Sequence, residues 1–295
     1  MNVTLKQLLT FITIAECGSF TEAAHKLCLT QAALSLRVRE LEDELKAKIF
    51  DREQRTVCMT EVGLELYPYA KRVFNELSIG MNNVASLREK ENGRLRVAAA
   101  HLIACTMLPG LIGQYRLLYP GVEISVQDGL TATLLQRLNV RDVEVVIGPV
   151  IDTDIEVKQI PLVNDRQWLV CPRDHPLSSL DAVSWAQVAE WPLISPTKDF
   201  TTYFRKFLLE SGNQLSIEPS YEVSFTTTAL GMVAAGMGVS VVPTFATALV
   251  QLWNLNIKEL VEPAFHRPLC IYVLPNRSLS PAAESFVEVV RGHHA

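Results

Sequence analysis

From Thr60 to about Leu87 the chain carries one continuous helical pattern, and that run constrains everything on either side of it. Tyr67, Ala70, Phe74, Leu77, Met81 and Val84 alternate spacings of three and four, which is a heptad seam. Leu66, Val73, Gly80 and Leu87 recur every seven residues beside it. A helix with two apolar rows cannot bury both against the short segment before it. A partner helix is therefore expected, most economically a second copy of the chain meeting through Tyr67, Phe74, Leu77, Met81 and Val84; packing within one chain is the alternative. Pro68 predicts a kink or a late start near the amino end. The run also divides the chain, with helical patterns alone before it and mixed strand and helix patterns after Glu91-Asn92-Gly93.

Three short helices are predicted ahead of it. Thr4-x-x-Gln7 and Ser19-x-x-Glu22 are capping boxes, Gly18 ends the first helix, and Thr30 caps a third that runs to about Lys48. A brief turn at Cys28-Leu29 makes the second and third a helix-turn-helix. On the third, Leu34, Val38, Leu41 and Leu45 fall within about 40° of one another and predict the buried stripe. The opposite side presents Ala32, Ser35, Leu36, Arg39 and Asp43, with Gln31 at its start. Small and hydrogen-bonding residues there suit a major groove, where Gln pairs with adenine. The acidic run Glu40, Glu42, Asp43, Glu44 would repel phosphate and confine contact to the first two turns. An ordinary solvated helix face is the other reading of the same spacing. The segment Ile49–Thr60 reads as a two-stranded wing, with Arg52 and Arg55 as phosphate or minor-groove candidates.

Beyond Gly93, strand-like runs at 95–100, 122–127, 143–147, 168–171, 193–195 and 239–242 alternate with helical patterns near 105–118 and 131–138. That alternation predicts α/β layers around a largely parallel sheet, with ligands outside the carboxyl ends of the strands. Enzyme chemistry has no visible foothold: H-E-x-x-H, C-x-x-C, G-x-S-x-G, a P-loop and G-x-G-x-x-G are all missing. The six cysteines are scattered and cluster with no His, so they are read as small buried side chains of a reduced cytosolic protein. Neither a secretory signal in Met1–Phe11 nor a stretch near the roughly 18 apolar residues of a membrane span is visible. The expected location is cytoplasmic, without a membrane partner.

Charge looks unfavourable for nucleic acid: 27 Lys+Arg face 32 Asp+Glu, a net −5. Divided at Gly93, the front half holds 12 basic against 13 acidic residues and the back half 15 against 19. Even the front half is not basic, so any DNA affinity must come from placement rather than bulk charge.

The stretch Phe20 to Glu42 strongly resembles the winged helix-turn-helix of LysR-type transcriptional regulators. Ile49-Phe50, Arg52, Arg55 and Met59-Thr-x-x-Gly63 follow in that family's order. Leu108-Pro109, Tyr119-Pro120-x-Val122, His175-Pro176-Leu177 and Val233 to Pro243 match its effector domain. The resemblance covers essentially the whole chain. It implies a fold that is α/β with an all-α-rich N-terminal domain: a winged helix-turn-helix at 1–60, a linker and dimerisation helix at 61–92, and a two-lobed periplasmic-binding-protein-like effector domain at 93–295. Lobe I would take about 93–161 and 268–295, lobe II about 162–267, with a returning strand at Leu269–Leu274 and a last helix at Pro281–Arg291. The implied activity is sequence-specific regulation of transcription modulated by a small-molecule effector, with no enzymatic activity and no cofactor. The implied partners are double-stranded DNA, a second or further copies in a homodimer or homotetramer, the effector, and RNA polymerase.

Carried over by position, DNA contacts fall on Thr30, Gln31, Ala32, Ser35, Leu36 and Arg39, with Arg52 and Arg55 at the wing. Ala32 and Leu36 depart from the family's usual Pro and Arg or Gln. Leu36 cannot donate to guanine, so altered or relaxed preference is expected at that base pair. Effector contacts fall on Ala100, His101, Leu102, Gly148, Asp199, Phe200, Thr201 and Thr202. The expected effector has an anionic end near Thr201 and Thr202 and an apolar body near Leu102 and Ile103.

Overall fold

The computed structural model describes all residues except 1, 52–56, 89–92, 212–216 and 294–295, and no side chain at 79 or 82–88. The chain divides into two units, Met1–Asn82 with Val140–Asp142, and Asn83–Asn139 with Val143–Ala295.

In the first unit each helix starts where a side chain satisfies its first N–H groups. Thr4 and Gln7 bond reciprocally and open α1 (Leu5–Cys17). Gly18, left-handed at φ 63°, closes it by donating to Ile14 O at 2.9 Å. Ser19 accepts from Glu22 N at 3.4 Å and opens α2 (Phe20–Lys26), but only this half of the predicted capping box forms. Thr30 accepts from Ala33 N at 3.2 Å and opens α3 (Gln31–Leu45). That helix stops three residues short of the predicted Lys48, because Lys46 turns left-handed at φ 54°.

Strands β1 (Phe50–Asp51) and β2 (Cys58–Met59) pair antiparallel as the base of a wing. Helix α4 (Glu61–Arg88) follows and runs through Pro68, so the late start predicted at that residue is overturned. Thr60 fixes the earlier start: its hydroxyl donates to Lys48 O at 2.6 Å and accepts from Gly63 N at 3.1 Å. Gly63 is required by the close crossing, since a Cβ there would lie 2.3 Å from Ile49 O. The core joins Phe11, Ile14, Leu34, Val38, Leu41 and Ile49, all fully buried, with Ala70 of α4. Burial of each large side chain contributes about 1.5–3 kcal/mol.

The second unit alternates strands and helices in chain order. Its first part comprises β3 (Arg94–Ala100), α5 (His101–Thr106), α6 (Leu108–Leu118), β4 (Glu123–Gly129), α7 (Thr131–Asn139), β5 (Val145–Pro149) and β6 (Lys158–Pro172). Then come β7 (Ala182–Ser184), α8 (Trp185–Val188), β8 (Leu193–Ser195), α9 (Lys198–Glu210), β9 (Tyr221–Glu222) and α10 (Thr226–Ala234). It ends with β10 (Val239–Pro243), α11 (Thr247–Leu252), β11 (Leu255–Val261), β12 (His266–Val273) and α12 (Pro281–His293). The strands lie in the order β4-β3-β5-β12-β6-β10-β8-β9, with β11 joining β6 to β7.

The sheet is mixed rather than largely parallel. Strands β3, β4 and β5 are parallel in one lobe and β8, β9 and β10 in the other, but β6 and β12 run antiparallel to their neighbours. These two strands carry the chain between lobes. β6 pairs with β12 from Lys158 to Arg166 and with β10 from Gln167 to Val170. Only the apolar end of β6, at 168–171, was predicted; its first ten residues mix Ile160, Leu162 and Val163 with polar residues and are broken by Pro161, so they carry no regular strand alternation. The helix predicted near 105–118 is two, α5 and α6, parted at Met107 ahead of Pro109.

Both faces of each lobe's sheet are covered, which is why the strands read as unbroken apolar runs. Val145 and Ile147 face one core with Phe286, whereas Val146 faces the other with Leu135 and Tyr272. Leu169 and Val241 face a core with Trp185 and Phe204, and Val170 and Val242 one with Leu230. Among the described residues, no helix is long and apolar enough to cross a membrane.

Candidate functional site

Helix α3 has the division that its wheel predicts. Leu34, Val38 and Leu41 are fully buried and Leu45 partly so, while Gln31, Ala32, Leu36 and Arg39 are exposed and Ser35 half-buried. Thr30 is exposed at the amino end. Leu36 is 54% exposed, an apolar side chain with no core to join. Arg52 and Arg55 lie outside the described residues.

The acidic run is not a uniform solvated face. Glu42 is 3% exposed, with Oε1 accepting from Ile49 N at 3.1 Å and Oε2 from Lys48 Nζ at 2.9 Å. Glu40 accepts from Gln7 Nε2 at 3.1 Å and Glu44 from Asn2 N at 2.7 Å, so these acids hold α3 to the chain's first residues.

The heptad seam of α4 splits in two. Tyr67 and Phe74 are partly buried and pack with Ala70 on the core of their own chain. Leu77 and Met81 are exposed, and with Tyr69 and Val73 they form a row at spacings of four. The side chain of Val84 lies outside the described residues. A period identifies an apolar row but not its partner, and the winged domain needs the first part of this helix to close its core.

In the second unit a cavity of about 90 Å³ opens between the lobes, beyond the carboxyl ends of β3, β4 and β5. Ala100, His101, Leu102 and Phe200 line it as predicted. His101 Nδ1 lies 2.7 Å from Asp128 Oδ2, and its ring stands 4.8 Å from that of Phe225 on the other lobe. Leu102 packs into the lobe II core around Ile194 and Leu230, and Phe245 packs in return on the lobe I core.

Four predicted effector contacts do not line this cavity. A Cβ on Gly148 would lie 3.0 Å from Thr131 Cγ2, so Gly148 is backed by Thr131 while Pro149 takes the wall. Thr201 is buried behind the wall, its hydroxyl 2.6 Å from Ser195 Oγ and donating to Glu222 Oε2 at 2.9 Å. Thr202 donates to Lys198 O at 3.3 Å, and Asp199 also stands off the wall. The reason is helical phase: α9 begins at Lys198 with Thr197 as its cap, which turns Thr197 and Phe200 to the cavity and the following residues away.

Arg267, Gln167, Phe225, Thr131 and Thr226 line the cavity without having been predicted. Arg267 had a readable signal, a charged residue opening the otherwise apolar run 268–274. Cys171 and Cys270 are buried on β6 and β12, and burial pushes both thiols up to about 11. Such thiols stay protonated and unreactive at neutral pH.

A winged helix-turn-helix with its recognition helix exposed, followed by a two-lobed domain with an interlobe cavity, defines an effector-responsive DNA-binding regulator. Residues 5–64 match the family described as "Bacterial regulatory helix-turn-helix protein, lysR family", and residues 88–295 match the "LysR substrate binding domain". The "Uncharacterized HTH-type transcriptional regulator YfeR" of Shigella flexneri is 31% identical over 299 residues, covering 99% of this chain and 94% of that protein. The crystal structure of full-length BenM is similar at TM-score 0.60 and 26% identity, over 99% of this chain and 96% of that one. Full-length CbnR "complexed with the target DNA complex" shares the fold at TM-score 0.76 and 20% identity, over 98% of this chain and 99% of that one. The chain belongs to the LysR family of transcriptional regulators. It is a DNA-binding, effector-binding regulator and not an enzyme.

Proposed function

We propose that the first two turns of α3 enter the major groove of double-stranded DNA. Thr30, Gln31, Ala32, Ser35, Leu36 and Arg39 stand nearest bases and backbone, and the Arg52–Arg55 tip lies on flanking phosphate or minor groove. The observation that carries this reading is the sharp division of α3, fully buried at Leu34, Val38 and Leu41 and exposed at Gln31, Ala32, Leu36 and Arg39. Gln31 is suited to adenine, and Leu36 meets a thymine methyl rather than guanine. Two copies joined along the exposed row Tyr69, Val73, Leu77 and Met81, as a homodimer or within a homotetramer, present two such helices to one site. The protein acts in the cytoplasm, with RNA polymerase as the further partner through which a bound regulator changes transcription. A small molecule held between the lobes modulates it. The support for that site is its place beyond the strand ends and beside the amino ends of α7, α9 and α10.

The test is a mobility shift with DNA from upstream of the protein's own gene at two salt concentrations. Sequence-specific binding with a steep salt slope is expected. Equal binding to unrelated DNA contradicts the proposal. Leu36→Arg should change the preferred base at one position of each half-site in a binding selection, and an unchanged preference removes Leu36 from the contact set.

A further inference from the structure

Arg267 is 8% exposed and lines the interlobe cavity. Its Nε and Nη2 are shielded from solvent and have no hydrogen-bond partner. These are the two nitrogens whose N–H bonds run parallel along one edge of the guanidinium, the edge that the two oxygens of a carboxylate match. The ring of Tyr203 lies 5.4 Å from its Cζ. Burial pushes its pKa down to about 10, with the field of Asp199 acting in the opposite sense. The side chain is still charged at neutral pH, so a cation with one unpaired edge stands in the cavity wall. Among the described residues no carboxylate and no other Lys or Arg lines the cavity, and His101 is held by Asp128. Leu102, Ile103, Phe200, Phe225 and Leu269 supply apolar surface around it.

We propose that Arg267 binds the single carboxylate of a compact monocarboxylic acid whose carbon skeleton rests on the apolar wall. The proposal rests on the reading of this cavity as the effector site and moves the anionic end from Thr201 and Thr202 to Arg267. One fixed positive charge balances one negative charge; a dianion would leave its second charge against apolar carbon. At about 90 Å³ the cavity is smaller than the roughly 150 Å³ that holds a benzene ring, which selects acids of few carbons.

The test is thermal unfolding of the full-length protein with propionate, butyrate and isovalerate, each against its own amide, and with benzoate, succinate and inorganic phosphate. At least one monocarboxylate should raise the midpoint while its amide does not. Arg267→Met should abolish that shift without lowering the unliganded midpoint, and Arg267→Lys should weaken the apparent affinity at least tenfold by losing the paired edge. Equal shifts from acid and amide overturn the proposal. So do larger shifts from benzoate, succinate or phosphate, a shift retained in R267M, or no shift from any of the three small acids. If R267M does not fold, R267K decides the matter. A mobility shift on the same wild-type preparation separates the two readings: failure to bind DNA overturns the regulator mechanism and leaves the carboxylate result standing.

Discussion

Glu42 sits among four acids, yet its carboxylate is the one enclosed by protein, holding the turn that carries the chain from α3 into the wing. Its bond to Ile49 N matters more than its ion pair. Lys48 is largely exposed, and exposed pairs contribute only about 0–1 kcal/mol. A buried N–H left without an acceptor costs about 1–3 kcal/mol. Glu42→Ala should therefore lower stability by about 1–3 kcal/mol in chemical denaturation, and Glu42→Gln, which keeps one acceptor oxygen, by clearly less. The wheel held a hint of this, because residue 42 lies only about 40° from Val38; charge type alone reads as solvent. Arg267 runs the other way. With burial pushing its folded pKa down to about 10, below the ordinary guanidinium value, the charged form is disfavoured by folding. The penalty is fully present below pH 10 and is relieved as pH climbs above it, where the unfolded state binds more protons. Arg267→Met should thus stabilise the ligand-free protein at neutral pH by about 1–3 kcal/mol, measured as a rise in unfolding midpoint. The thiols of Cys171 and Cys270 should resist an aromatic disulfide reagent until the protein unfolds, since both are buried and pushed up to about 11.

Helix α4 is one element with two roles, and substitutions should separate them. Phe74→Ala, within the chain's own core, should cost about 1–3 kcal/mol, less than the 3–5 of a fully buried Phe, and leave the oligomer intact at low temperature. Leu77→Glu with Met81→Glu, on the exposed row, should instead shift sedimentation toward monomer with a small change in the winged domain's stability. Unchanged sedimentation removes this row from the interface. The long helix itself was legible from periodicity, and so were the caps at Thr4 and Thr30, because these are local signals. β6 was legible only at its apolar end. Its first half is a strand because β12 pairs with it, and that pairing joins residues a hundred or more positions apart, which no window along the chain contains. The effector wall failed in the same way. A motif located α9, but the phase set by its cap Thr197 decided that Phe200 faces the cavity and Thr201 does not.

Across the whole effector domain the two lobes are joined by β6 and β12, and each lobe places one apolar side chain on the other's core, Leu102 in one direction and Phe245 in the other. Leu102→Ala should loosen this closure, seen as faster hydrogen exchange in α5 and α10 with the outer helices α6 and α12 unchanged. Because the protein supplies part of the closing free energy itself, an incoming molecule need supply only the remainder. Leu102 and Phe245 also line the cavity, so the residues that set how much of that molecule is needed touch the molecule as well. Changes at Leu102 or Phe245 should then reset the dose at which a gene responds, while the demand for an anionic end stays with Arg267.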